Sequence, residues 1–239
     1  MNFKGKLEEE ARGMGATYFG IADLSLTRGG AITPYEARLV SEYPLAISIG
    51  VPLIPSIVDR ISDQTDVFAA HNYWFHVYEV VNPLIDQITR RISSIVVSEK
   101  YSALVVPASQ TIDMENRYGM FSHKMAASLS GLGWIGKSCL LITPDRGPRV
   151  RWGTILTDAP LKTGTPTEVE CRECTKCVEA CPAQAFTGRN FVPSEPRETR
   201  MRIERHIQFC NERGKSIGKD MCGICVYVCP FGKPKRSKK

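Results

Sequence analysis

The sequence predicts a layered α/β (α+β) domain over residues 1–165, a small cysteine-built module over residues 166–232 and a basic tail over residues 233–239. Three observations carry that division. Apolar runs alternate with amphipathic ones through the first part, eight of the nine cysteines fall between positions 171 and 229, and the composition turns to Pro, Thr and Gly near residues 160–166. With 43% hydrophobic and 23% charged residues the chain has the composition of a globular protein with a buried core, which excludes general disorder.

Residues 4–14 read as an amphipathic helix ended by Gly13 and Gly15, followed by a short strand over residues 17–21 and a loop with Gly29, Gly30 and Pro34. Residues 46–51 form an apolar run between prolines, the pattern of a buried strand. Asp66 is placed to cap a long helix in which Val77, Val81, Leu84, Ile88, Ile92 and Ile95 recur at spacings of three and four, with a kink at Pro83. Residues 101–106 read as another inner strand and residues 122–130 as a short helix stopped by Gly131 and Gly133. Residues 139–142 and 152–157 read as a pair of strands joined by the turn at residues 144–148.

The longest mainly apolar stretch, residues 44–55, is too short to span a bilayer, and residues 1–10 lack the apolar core of a secretory signal. A cytoplasmic protein that does not engage a membrane is the expectation. Of the net charge of +6, the tail supplies five cations and leaves +1 for the remainder. The tail reads first as a solvated end, with RNA as its possible partner.

Cys171-x2-Cys174-x2-Cys177-x3-Cys181-Pro182 is the run of bacterial-type ferredoxins, and Cys222-x2-Cys225-x3-Cys229-Pro230 repeats its end. Two half-motifs predict two [4Fe–4S] clusters. The crossing rule assigns Cys171, Cys174, Cys177 and Cys229 to one cluster and Cys181, Cys222 and Cys225 to the other. Cys210 is the remaining cysteine of the region and is assigned as the fourth ligand of the second. Tetrahedral zinc sites and disulfides are the alternatives, but zinc motifs use separate Cys-x2-Cys pairs rather than this three-plus-one run, and clustered cysteines without an export signal point to metal. Cys139, beside Leu140, Leu141 and Ile142, reads as a buried core thiol.

A ferredoxin needs little beyond the cysteine region, so the domain before it is expected to receive the electrons. Its informative segment is residues 130–160, beginning Ser-Gly-Leu-Gly-Trp-Ile-Gly-Lys and continuing through Thr-Pro-Asp-Arg-Gly-Pro-Arg-Val-Arg-Trp. The glycines permit close backbone approach to a large flat ligand, and Arg149 and Arg151 offer donors to anionic or amide groups. The first run resembles epoxyqueuosine reductases and the second resembles reductive dehalogenases, two families of corrinoid-dependent iron–sulfur reductases.

The resemblance, which covers residues 100–232, implies a nitroreductase-like fold related to that of eukaryotic cobalamin-processing proteins, holding cobalamin or a related corrinoid. It implies Gly131, Gly133, Trp134, Lys137, Leu141, Thr143, Arg149, Arg151, Trp152 and Asp158 as corrinoid-binding residues. A low-potential donor, a ferredoxin or flavodoxin, would feed electrons through the distal cluster to the one built on Cys171, and then to cobalt, towards Co(I). The expected activity is that of an oxidoreductase which activates or processes the corrinoid or uses it on a small substrate. An epoxyqueuosine-reductase-like enzyme acting on tRNA and a plain electron carrier are the alternatives.

The pattern departs from the family at one place. Counting back from Gly131 places Arg117 where epoxyqueuosine reductases carry their acidic proton donor, and Tyr118 follows it. Arg117 and Tyr118 are therefore the catalytic candidates, with Tyr118 a possible donor as in dehalogenases, and Asp113 a substitute only under a shifted alignment. His71 and His76 fall five apart, which does not bring both to one side of a helix, and they read as packing residues, as do His123 and His206.

Overall fold

The computed structural model describes residues 2–233, so the tail beyond Lys233 lies outside the described residues. Eleven residues, Phe3–Gly13, form α1, capped by the Asn2 side chain, which accepts from Gly5 N–H. Strand β1 (Tyr18–Asp23) follows, then α2 (Pro34–Glu42), β2 (Leu45–Pro52) and α3 (Pro55–Arg60). Helix α2 falls partly within the expected loop. It starts where Thr33 and Glu36 cap each other reciprocally and Pro34 fills the first turn.

The long helix is three segments: α4 (Val67–Trp74), a π-helical stretch (Phe75–Val81) and α5 (Asn82–Ser98). Asp66 caps α4 as expected, through Ala69 N–H. Pro83 lacks an N–H and its ring crowds the preceding turn, so the chain widens before it, and Asn82 N–H reaches the Val77 carbonyl five residues back.

Strands β3 (Ala103–Val106) and β6 (Val150–Thr157) complete a sheet in the order β1-β2-β6-β3, with antiparallel neighbours throughout. This corrects the strand pairing expected for residues 139–142 and 152–157. Instead β5 (Leu141–Ile142) pairs with β4 (Trp134–Ile135) in a two-stranded sheet of its own, while β6 lies between β2 and β3. The chain does reverse at Thr143–Gly147, which pair across the turn. Pro148 and Arg149 then carry it away, with Arg149 Nη2 donating to Asp59 Oδ1 at 2.7 Å.

Both sheet faces are covered. Ile21, Ile47, Ile49 and Ile155 pack on Leu7 and Ala11 of α1 and on Ile85, Ile88 and Ile92 of α5. The alternate residues Ala22, Ala46, Leu156 and Val106 meet Phe121 and Ala126, the latter on α6 (His123–Leu129). Each large aliphatic side chain so buried contributes roughly 1.5–3 kcal/mol. In the cysteine region the elements are short: α7 (Lys176–Glu179) and α9 (Ile224–Val228), beside the longer α8 (Ile203–Ile217).

Candidate functional site

Eight thiols gather around α7, α8 and α9. Cys171 and Cys174 lie on the turn before α7, where Cys174 N–H donates to the Cys171 carbonyl at 3.0 Å. Cys177 is on the helix and Cys181 just past it. Cys210 is on α8, Cys225 on α9, and Cys222 and Cys229 flank α9.

Burial pushes the Cys177 thiol up to about 12, and the neighbouring charges that add to it belong to Cys171, Cys229 and Cys174. Burial also raises Cys222, next to Cys181, and takes Cys210 up to about 12, beside Cys222. Cys225 is raised by burial and by Cys222, Cys177 and Cys181, and so touches both groups. These influences run among Cys171, Cys174, Cys177 and Cys229 on one hand and among Cys181, Cys210, Cys222 and Cys225 on the other, although among the described residues no three such side chains stand as a ready-made metal site. Thiols crowded in this way favour a cationic metal centre that draws off their protons. All nine cysteines are free, so no disulfide competes for them.

Cys171 abuts the β4–β5 hairpin. Gly136 sits where a side chain would come within 3.2 Å of Cys171 Sγ, so its bareness leaves room beside the sulfur. Lys137 is buried and its Nζ donates to the Arg172 carbonyl at 2.6 Å, tying the hairpin to the Cys171–Cys174 turn. Beyond Cys229, Phe231 meets Trp134 edge-on, with ring centroids 4.9 Å apart. The second set lies against other elements, with Cys222 Sγ 3.9 Å from Gln64 Oε1 and Cys210 Sγ 3.7 Å from His206 Nε2.

On the other side of the hairpin is a cavity of about 730 Å³. Ile135, Leu140 and Leu141 form its hairpin wall, joined by Trp152 and Arg151 of β6, and the buried Cys139 also borders it. Its opposite walls come from residues 26–36 and 191–200, including Phe191, Arg197 and Arg200. The sequence reading missed these walls. The reciprocal Thr33/Glu36 cap was a legible signal for the first, whereas Arg197 and Arg200 follow no motif.

Both catalytic candidates line the cavity. Tyr118 donates from its hydroxyl to Glu198 Oε1 at 2.8 Å, and the Arg197 guanidinium lies 4.1 Å from its ring centroid. Burial, and then the Glu198 bond, hold its proton to about pH 12. Arg117 adopts a left-handed backbone with φ of 53°, strained for a side chain of its size. Asp113 is half-buried, with its carboxylate held below the usual range by bonds from Asn116, first the backbone N–H and then the side chain.

Of the expected corrinoid-binding residues, Leu141, Arg151 and Trp152 face the cavity. The others do not line it and make contacts within the chain. Gly131 and Gly133 let the chain pass close to the Thr165 and Ile142 carbonyls, and Thr143 closes the 143–147 turn by accepting from Arg146 N–H. Trp134 meets Phe231, Arg149 binds Asp59 and the Tyr227 carbonyl, and Asp158 accepts from Ser102 N–H at 2.7 Å.

The histidines are tied into the fold by hydrogen bonds, and His123 also lines the cavity. His71 Nε2 bonds the Ile217 carbonyl, and His76 Nε2 accepts from Ile54 N–H. His123 bonds the Pro107 carbonyl through Nε2 and Thr154 Oγ1 through Nδ1.

Residues 170–232 match the family described as the 4Fe-4S double cluster binding domain. Over 147 residues the chain is 33% identical to the epoxyqueuosine reductase of Synechocystis sp., covering 57% of this chain and 50% of that protein. A solved epoxyqueuosine reductase with an epoxyqueuosine-modified tRNA-Tyr stem loop superposes with a TM-score of 0.62 at 19% identity, over 96% of this chain and 65% of that one. A catabolic reductive dehalogenase in complex with 3-bromo-4-hydroxybenzoic acid superposes at 0.63 with 17% identity, over 95% of this chain and 31% of that one. The chain therefore spans half the length of its curated relative, and it shares a mixed α/β fold with both kinds of reductase. No helix among the described residues is long and apolar enough to cross a membrane.

Proposed function

We propose that this chain is a corrinoid-dependent iron–sulfur oxidoreductase of the epoxyqueuosine-reductase kind, with a nucleoside carried by RNA as the substrate its relatives favour. The observation that carries the reading is the thin β4–β5 hairpin, with Cys171 against Gly136 on one side and the cavity on the other. The similarity to epoxyqueuosine reductases supports this reading over one in which the corrinoid is itself the substrate.

In this account Cys171, Cys174, Cys177 and Cys229 hold the cluster nearer the cavity, and Cys181, Cys210, Cys222 and Cys225 hold the farther one, which takes electrons from a low-potential donor. The domain boundary falls near residue 165, with a nitroreductase-like fold before it. Leu140, Leu141, Trp152 and Arg151 form the wall against which a corrinoid packs. When bound, the corrinoid supplies a metal centre that cycles at low potential, matched to the low end of the [4Fe–4S] range.

Tyr118 stands in for the family's acid. Its hydroxyl holds a proton at the cavity wall, Glu198 orients it, and Arg197 over the ring stabilises the phenolate left when the proton is given up. The reading is tested by incubating anaerobically purified protein with cobalamin and removing free corrinoid by gel filtration. Retention of about one cobalt per chain beside about eight iron atoms is expected. Iron without retained cobalt, in either oxidation state of the clusters, contradicts it.

A further inference from the structure

The cavity's charge is lopsided. Five cations line it, Arg117, Lys124, Arg151, Arg197 and Arg200, against two carboxylates, Glu36 and Glu195. Both carboxylates are already engaged: Glu36 accepts from Thr33 N–H and Ser122 N–H, and Glu195 from Arg189 and the Thr199 hydroxyl.

The cations are less well served. Arg200 is only 6% exposed, its Nε has no partner, and its Nη1 reaches only the Cys139 sulfur, a weak acceptor, at 3.9 Å. Lys124 donates from Nζ to the Cys139 carbonyl at 2.8 Å, one acceptor for three N–H groups. Arg197 gives Nη2 to the Asn116 carbonyl and to Glu198, while its Nε is buried without a partner. A buried guanidinium with open donors is costly unless an anion completes it. Burial, with repulsion from Arg197 and Arg200, also holds the Lys124 ammonium below the usual lysine range, the state expected of cations crowded together before a counter-ion arrives.

We propose that Lys124, Arg197 and Arg200 form a receptor for an oxyanion, a carboxylate or a phosphate, carried by the substrate that enters this cavity. The receptor deepens the functional reading above, on which it rests for the word substrate. It lies beside Tyr118, because Arg197 belongs to both, so a substrate clamped by its oxyanion presents its reacting part to the phenol's proton. Arg200 supplies the planar fork suited to two oxygens, and Lys124 supplies the point charge beside it.

The test is calorimetric titration of the cluster-loaded protein with two matched pairs, benzoate against benzamide and adenosine 5′-monophosphate against adenosine. The charged member of at least one pair should bind about tenfold or more tightly than its neutral partner. Benzoate preference identifies a small acid as the source, and preference for the nucleotide identifies a phosphate. Arg200→Met should remove the preference while Arg38→Met, an exposed control, leaves it. If Arg200→Met loses its cluster absorbance, Lys124→Met carries the same test. Equal binding within both pairs, or a preference untouched by Arg200→Met and Lys124→Met, overturns the receptor.

Repeating the titration after corrinoid loading separates the two claims. Anion binding that persists supports the receptor, and binding abolished by the corrinoid assigns these cations to the corrinoid's own phosphate and overturns it. Retained cobalt with no anion preference sinks the receptor alone. Anion preference without retained cobalt sinks the functional reading alone.

Discussion

The sheet domain and the cysteine region are held together by different physics. In the first, Ile47, Ile49, Ile85, Ile88, Ile92 and Ile155 close a continuous apolar core. The second reaches that core through Ile217, Met221 and Val226, and two of its helices have only four and five residues. Helices that short do not persist on their own. The difference teaches that the sheet domain carries its own core, whereas the cysteine region has little apolar packing of its own and is expected to take its shape from what its thiols bind.

The largest expected effect follows directly. Anaerobic removal of iron with a chelator should strip amide-exchange protection from α7 and α9 while the β1-β2-β6-β3 sheet keeps its own, because metal binding and folding are the same free energy in such a region. Equal loss in both would erase the contrast. Cys177→Ser is the milder form. It should lower iron from about eight atoms per chain to about four, leaving the set around Cys222 in place.

In the opposite direction, Ile88→Ala in the sheet core should cost roughly 2–5 kcal/mol in denaturant unfolding, with iron content per folded chain unchanged. A stability change under 1 kcal/mol would show that the core is looser than its burial indicates.

Much of this division was legible in the sequence, and the reasons differ by region. Spacings of three and four between Val77 and Ile95 announced a buried helix face, because local periodicity survives whatever the chain packs against. Cysteine spacing announced two metal sets because the cube geometry fixes it. The place of β6 was not legible, since its partners in β2 and β3 lie about fifty to a hundred residues away and the local turn at Thr143–Gly147 mimics a hairpin. Arg149 and Lys137 meet neighbouring loops, and in sequence a charged residue beside glycines reads the same whether it meets a cofactor or such a loop. Arg200 gave no signal at all; its role appears only once residues 191–200 fold against the cavity.

A smaller effect concerns pH. Burial pulls His123 down to about 4 from its ordinary 6.5, so the unfolded chain binds this proton more readily than the folded one. The contribution is therefore intact above pH 6.5, declines as pH falls from 6.5 towards 4, and changes no further below that. His123→Gln should flatten this part of the stability profile of the sheet domain, measured by amide exchange in β6. An unchanged slope would remove His123 as the cause. Smallest of all, Tyr118→Phe should cost about 1 kcal/mol of stability by releasing Glu198, yet lower turnover without altering iron or retained cobalt.

The central claim is that the cluster set on Cys171, Cys174, Cys177 and Cys229 lies at the wall of the corrinoid cavity. Electron paramagnetic resonance on protein loaded with Co(II) corrinoid tests it most directly. Partial reduction, stopped while cobalt is still Co(II), should broaden the cobalt signal through magnetic coupling, and Cys177→Ser should abolish that broadening. A cobalt signal that stays sharp while both clusters are reduced would contradict the account.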